Sequence, residues 1–201
     1  MGTAMLWVGW FGFNAGSQGG ATDAAAMTLF VTHISAATGA TVWAAIEWFT
    51  VRKPSVLGIA TGSIAGLAAI TPASGVAGPL GAVIIGAVSG AVCYWASVKL
   101  KNKLGYDDSL DVVGVHGVGG VIGTLLAAVV GTAAFGGFGD FEMGAQLGLQ
   151  AMASAVTAGY TLVATVIILL VVKAVCGGLR VSEQEEREGL DQASHGENAY
   201  N

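Results

Sequence analysis

An ionisable ring set inside an unbroken apolar run is costly unless it is used, and this chain has one. His116 lies in Asp111-Val112-Val113-Gly114-Val115-His116-Gly117-Val118-Gly119-Gly120, a stretch that stays apolar through Val130. About 20 such residues span a bilayer, and an ionisable side chain at that depth is a candidate for function. In apolar surroundings the imidazole is expected neutral, offering one donor and one acceptor nitrogen. The bland alternative is a packed histidine bonded to a helix carbonyl. A second group stands near the start of the chain, where Leu6, Trp10, Phe13 and Ser17 follow i, i+4, i+7, i+11 spacing and form one stripe on a helix. Such aromatic stripes are more often core than site. This one ends in a hydroxyl at a loop, so ring faces and an oxygen acceptor would suit a small cation, with cation–π attraction reaching about 2 kcal/mol when desolvated. A cation able to shed a proton could then continue as a neutral molecule and hydrogen-bond His116.

The elements that must position these groups are apolar helices. Of 201 residues, 54% are hydrophobic and 10% charged, against about 25% charged in soluble domains. The chain reads as an all-α polytopic membrane protein. Long runs without dyad alternation exclude a lipid-facing barrel. Six apolar segments are expected, at about 1–16, 24–50, 55–71, 78–98, 111–134 and 145–176, the last long enough to tilt or project. The division predicted is a membrane domain over 1–176 and a tail over 177–201.

Charge gives the orientation. The eight basic residues fall in the second break (Arg52, Lys53), the fourth (Lys99, Lys101, Lys103) and around the end of the sixth segment (Lys173, Arg180, Arg187). The other breaks hold none, so with six spans both ends of the chain are expected in the cytoplasm. The net charge of -5 comes mostly from the tail and points to no nucleic acid. Cys93 and Cys176 have no metal-ligand spacing, and no cofactor or metal is expected. The run that begins at Met1 lacks a basic leader and is short for a span, which suggests a chain that starts within a longer one.

Gly58, Gly62 and Gly66 form a packing ladder, and Gly114, Gly117, Gly120 and Gly123, three apart, are expected to let the His116 helix approach its neighbours. On that view Gly117→Leu would disturb packing. Thr71-Pro72-Ala73-Ser74-Gly75 breaks a helix, either as an ordinary turn or as a vestibule lined by the Thr71 hydroxyl and freed carbonyls. Glu47 is expected to pair with Arg52 and Lys53, and His33 either faces a cavity or snorkels. Ser182 with Glu185 predicts a capping box that opens a short tail helix, with Gly189 closing it.

Trp10-Phe11-Gly12-Phe13-Asn14-Ala15-Gly16-Ser17, Thr71-Pro72-Ala73-Ser74-Gly75, Asp111 through Gly117, and the tail from Gly178-Leu179-Arg180-Val181 to His195-Gly196-Glu197 together resemble the ammonium transporter (Amt) family. The resemblance covers nearly the whole chain and implies helices six to eleven of that fold: the second inverted repeat plus the long last helix. It implies ammonium recruitment at Trp10 and Ser17, an aromatic gate at Phe13, a path past Leu6 and Val112, a pore histidine at His116 and Asp111 at the inner end. It also implies a homotrimer in a membrane, bacterial by expectation, and a PII-type signalling partner at the cytoplasmic face. The family's partner histidine, buried aspartate and remaining site aromatics belong to the first repeat, and His33 stands on a different helix from that partner histidine. The other functional classes considered are an ammonium sensor signalling through its tail, and an intramembrane enzyme using His116, Glu47 and His33. The enzyme reading lacks a nucleophile or a metal-ligand spacing.

Overall fold

The computed structural model describes residues 1–198, so the last three residues of the expected tail lie outside the described residues. Helix α1 runs Gly2–Gly16. Thr22 then accepts the Ala25 N–H at 3.3 Å and, with Asp23 in the first turn, opens α2, Asp23–Val51. Arg52, at φ 64°, turns the chain in the left-handed region. Ser55 caps α3, Val56–Ile70, by accepting the Gly58 N–H at 2.8 Å. A 3₁₀ turn, Thr71–Ala73, carries Pro72 where no N–H is needed. Pro79 at the first position then starts α4, Pro79–Trp95.

From there the winding loosens. Helix α4 passes through a π-helical turn, Ala96–Leu100, into the short α5, Lys101–Leu104. A second π-helical turn, Val112–Gly117, leads into α6, Val118–Val130. Helix α7, Met143–Cys176, has 34 residues, about 51 Å at 1.5 Å per residue.

Among the described residues, five stretches are long and apolar enough to cross a membrane: Asp23–Val51, Val56–Ala73, Pro79–Leu104, Val112–Val130 and Met143–Cys176. The first expected segment, α1, is not among them: its 15 helical residues reach only about 22 Å.

The chain divides into two units, Met1–Ser154 and Ala155–Asn201. In the first, α2 is central and packs against α1, α3 and α4, while α6 packs against α3 and α4. Small residues make these crossings possible. A Cβ on Gly66 would lie 2.8 Å from the Ser35 carbonyl carbon and 2.9 Å from Ala36 Cα. One on Gly62 would meet Ala40 Cα at 3.2 Å. At the same crossing the buried Ser35 hydroxyl donates to the Gly66 carbonyl at 2.8 Å, a polar link between helices where lipid offers no hydrophobic drive. Val31, Ile70, Ile85 and Val130 fill the core at one level, and Trp43, Ala65, Cys93 and Val115 at another. The glycine ladder on α3 thus packs as expected.

The structure departs from two expectations. Glu47 is bonded to Ser55, accepting its N–H at 2.6 Å and its hydroxyl at 3.1 Å. It ties the α2–α3 turn together instead of pairing with Arg52 or Lys53, because the left-handed turn at Arg52 brings Ser55 back over the carboxylate. On the His116 helix the packed glycines are Gly114, Gly119 and Gly123; a Cβ on Gly120 would face open space, and one on Gly117 would meet only the Val113 side chain, at 4.0 Å. Gly117→Leu therefore meets no obstacle in this unit.

In the second unit the tail has the predicted punctuation. Glu183–Glu188 forms α8, Ser182 accepts from the Glu185 N–H, and the Glu185 carboxylate accepts from the Ser182 N–H at 2.9 Å and hydroxyl at 2.7 Å. These bonds hold the Glu185 pKa below the usual carboxylate range. The Gly189 N–H closes the helix on the Glu185 carbonyl at 3.0 Å.

Candidate functional site

Buried amides and hydroxyls fix how α1 is turned. Asn14, 3% exposed, donates to Thr32 Oγ1 at 3.0 Å, and the Thr32 hydroxyl donates to the Thr28 carbonyl at 2.7 Å. Four residues on, Gln18 donates to Thr28 Oγ1 at 3.0 Å. Two amides on α1 thus grip two hydroxyls on α2. Sequence reasoning missed this pair, although an amide at i and i+4 facing threonines at i and i+4 is a legible signal.

With α1 so held, Leu6, Trp10 and Phe13 share one open cavity of about 600 Å³ with Gly2, Met5 and Gly9. Leu6 is 54% and Phe13 63% exposed, so this wall has no opposing side chains within the unit. The rings of Trp10 and Phe13 stand edge to face with centroids 6.4 Å apart. Trp10 Nε1 donates to Thr71 Oγ1 at 2.7 Å, and the Thr71 hydroxyl donates to the Leu67 carbonyl at 2.7 Å. Thr71 therefore spends its proton within α3 and works as the acceptor that orients the indole.

Ser17 Oγ donates to the Phe13 carbonyl at 2.7 Å. With its proton turned inward, the exposed oxygen keeps lone pairs for an incoming donor. An exposed hydroxyl acceptor and two rings on one helix are the groups that a small cation with N–H donors would use. We expect Thr71→Val to leave the Trp10 N–H without its partner and destabilise the unit by about 1 kcal/mol. An unchanged thermal unfolding midpoint in detergent would mean that this bond contributes nothing.

The second set of predicted residues lies across α3, which touches both α1 and the π-helical turn Val112–Gly117. His116 is exposed, as are Val112, at 52%, and Gly117. The opposite side of the turn is buried: Val115 joins Trp43, Ala65 and Cys93, and its carbonyl receives Cys93 Sγ at 3.8 Å. Asp111, in the left-handed region at φ 54°, is half-buried and paired with Lys101. The site residues thus form two groups: Leu6, Trp10, Phe13 and Ser17 on α1 with Thr71 behind the indole, and Asp111, Val112 and His116 at the start of α6. Leu6, Phe13, Ser17, Val112 and His116 are exposed in the unit.

His33 belongs to neither group. Its ring lies against Trp7 at 5.4 Å and Phe11 at 6.0 Å, residues set roughly 110° around α1 from the Leu6–Ser17 stripe at 100° per residue. Among the described residues no cluster of His, Cys, Asp or Glu could hold a metal ion.

The family model described as the Ammonium Transporter Family matches residues 1–200. The chain is 45% identical to an ammonium transporter of Aquifex aeolicus, covering 100% of this chain and 48% of that protein. It is 43% identical to an ammonium transporter of Bacillus subtilis, covering 100% and 50%. Among solved structures it resembles Saccharomyces cerevisiae Mep2 at TM-score 0.80 and 36% identity, over 91% of this chain and 43% of that one. It also resembles a protein described as a sensor Amt protein at TM-score 0.87 and 33% identity, over 96% and 47%. The chain spans about half the length of the relatives it matches.

Proposed function

The chain belongs to the ammonium transporter family, and we propose that it supplies one side of an ammonium-conducting path through a membrane. The family comprises transporters, not enzymes, and this member is an integral membrane protein with an all-α fold. The observation that carries the proposal is the exposure of Leu6, Phe13, Val112 and His116, the side chains that the resemblance assigns to a path, on helices whose other sides are packed.

Ammonium is recruited at the mouth by the rings of Trp10 and Phe13 and by the lone pairs of Ser17. Thr71 sets the indole orientation. Ammonium gives its proton to water at the mouth, and the ammonia that remains passes Leu6 and Val112 and exchanges hydrogen bonds with the His116 ring, while Asp111 stands at the inner end. A metal cation has no proton to give up and no donor for the imidazole acceptor, so selectivity rests on chemistry as well as size.

The surrounding assignments belong to the same proposal. Six spans place Arg52, Lys53, Lys99, Lys101 and Lys103 at the cytoplasmic face, with both ends of the chain on that side. The membrane domain is 1–176 and the tail 177–201. The resemblance supports a homotrimer, a bacterial membrane, a PII-type protein at the inner face, and an opposite pore wall outside these 201 residues.

The test is flux. The chain, as its source encodes it, is reconstituted in vesicles and ammonium-driven internal pH change is followed. A flux well above that of empty vesicles and insensitive to potassium supports conduction. The likeness to a sensor Amt protein favours a second reading, in which ammonium binds at the same mouth and the tail signals; saturable binding without flux would select it.

A further inference from the structure

We infer that Lys101 is a positioning residue for His116, holding the chain in the left-handed conformation from which the π-helical turn carrying the histidine begins. The inference rests on the reading of His116 as a pore residue.

Asp111 has φ 54° and ψ 33°, where the Cβ of any residue other than glycine crowds the backbone. An aspartate usually tolerates this by bonding its own turn. Here the Asp111 carboxylate is engaged by Lys101 Nζ at 2.5 Å, with the two side chains 24% and 28% exposed. The same ammonium donates to the Asp108 carbonyl at 3.1 Å. The Asp108 carboxylate in turn accepts the Val112 N–H at 2.9 Å and the Val113 N–H at 2.8 Å, two of the amides that a helix start leaves without partners. Lys101 thus bridges the residue that bends the chain and the residue that caps the turn after it.

The turn matters because of its winding. A π turn carries an extra residue per turn, so its relaxation to α would rotate the residues before it by roughly 100° relative to those after it. The part after it is fixed, since Gly119 packs on Cys93 and Gly123 on Ala69. The first half of the turn itself is held where Gly114 packs on Ser97, whose Cα a Cβ would meet at 3.1 Å. Ser97 lies in the π-helical turn Ala96–Leu100, directly before α5, which carries Lys101. One continuous segment therefore supplies both the surface and the charge that set the start of α6. His116 lies between the two anchors and faces the open side because both hold.

The bland alternative is an ion pair that stabilises the bundle generally. Amide hydrogen exchange read by peptide mass spectrometry separates the two, on the full chain in detergent. Lys101→Met is expected to raise exchange across 112–117 at least tenfold while 118–130 stays within twofold, and Lys101→Arg is expected to restore it. In vesicles, the maximal ammonium flux of Lys101→Met should fall several-fold with the half-saturating concentration unchanged, because the recruiting residues lie on α1.

Equal loss of protection over 118–130, unchanged exchange in 112–117, or no rescue by arginine would each overturn the inference. If Lys101→Met does not fold, Asp111→Gly/Lys101→Met decides, because glycine adopts the left-handed conformation without support. Wild-type-like exchange in that double variant supports the positioning role, and failure to fold overturns it. If the wild-type protein conducts no ammonium, the functional reading fails while the exchange results still decide what Lys101 does.

Discussion

Gly123→Leu is expected to yield far less folded protein. On α6, Gly123 faces α3 at Ala69; a Cβ there would overlap the Ala69 carbonyl oxygen and lie 2.7 Å from its carbon and 2.8 Å from its Cα. All three atoms belong to helical backbone and cannot rotate aside. Overpacking a core typically costs 1–3 kcal/mol when side chains can give way. With backbone as the obstacle, α6 must leave α3, so a loss above about 3 kcal/mol is expected from a total on the order of 5–15. The check is the yield of monodisperse protein in detergent beside Gly120→Leu. At Gly120 a Cβ meets nothing within 4 Å, so that control should purify normally. Equal yields from the two variants would refute this account of how α6 packs.

The same pair of glycines shows where the sequence was readable and where it was not. Gly58, Gly62 and Gly66 are four apart, the spacing of one α-helical face, and they pack against Glu47, Trp43 and Ser35 as that spacing implies. The Ser182–Glu185 box was also legible, because both partners lie within one turn. On the His116 helix the three-residue period of Gly114, Gly117, Gly120 and Gly123 pointed to a face that does not exist. The packed glycines are 114, 119 and 123: a step of five across the π turn, then a step of four along α6. That turn is fixed by tertiary partners, Ser97 beneath it and Lys101 at its start, and local propensity carries no sign of it.

Glu47 was misread for a similar reason. Nearness in sequence favoured Arg52 and Lys53, whereas the left-handed Arg52 returns the chain so that Ser55 reaches the carboxylate. Of the candidate site, the placing of Leu6, Trp10, Phe13 and Ser17 along one helix was legible from their spacing alone. The Trp10–Thr71 bond joins residues 61 positions apart, which no periodicity could reveal.

His116→Ala is expected to lower ammonium flux about tenfold while leaving the fold intact. Two features of its position separate these effects. The ring stands on the exposed side of the turn, beside Val112 and Gly117, and exposed substitutions usually change stability by no more than about 0.5 kcal/mol. On the proposed path, the bond that the imidazole would offer a passing neutral molecule has no substitute in alanine. A hydrogen bond of this kind contributes about 0.5–1.5 kcal/mol net, and its upper end corresponds to about a tenfold change in rate or occupancy. Asp111, Lys101 and the packed Val115 hold the backbone in both proteins, so the loss reports the ring itself. Vesicle flux with ammonium and with potassium, together with an unfolding curve, distinguishes three outcomes. A lower flux or altered selectivity with an unchanged midpoint supports the pore role. Unchanged flux and unchanged selectivity would end it. A midpoint lowered by several degrees would return His116 to the packed, carbonyl-bonded histidine that an apolar run can also hold.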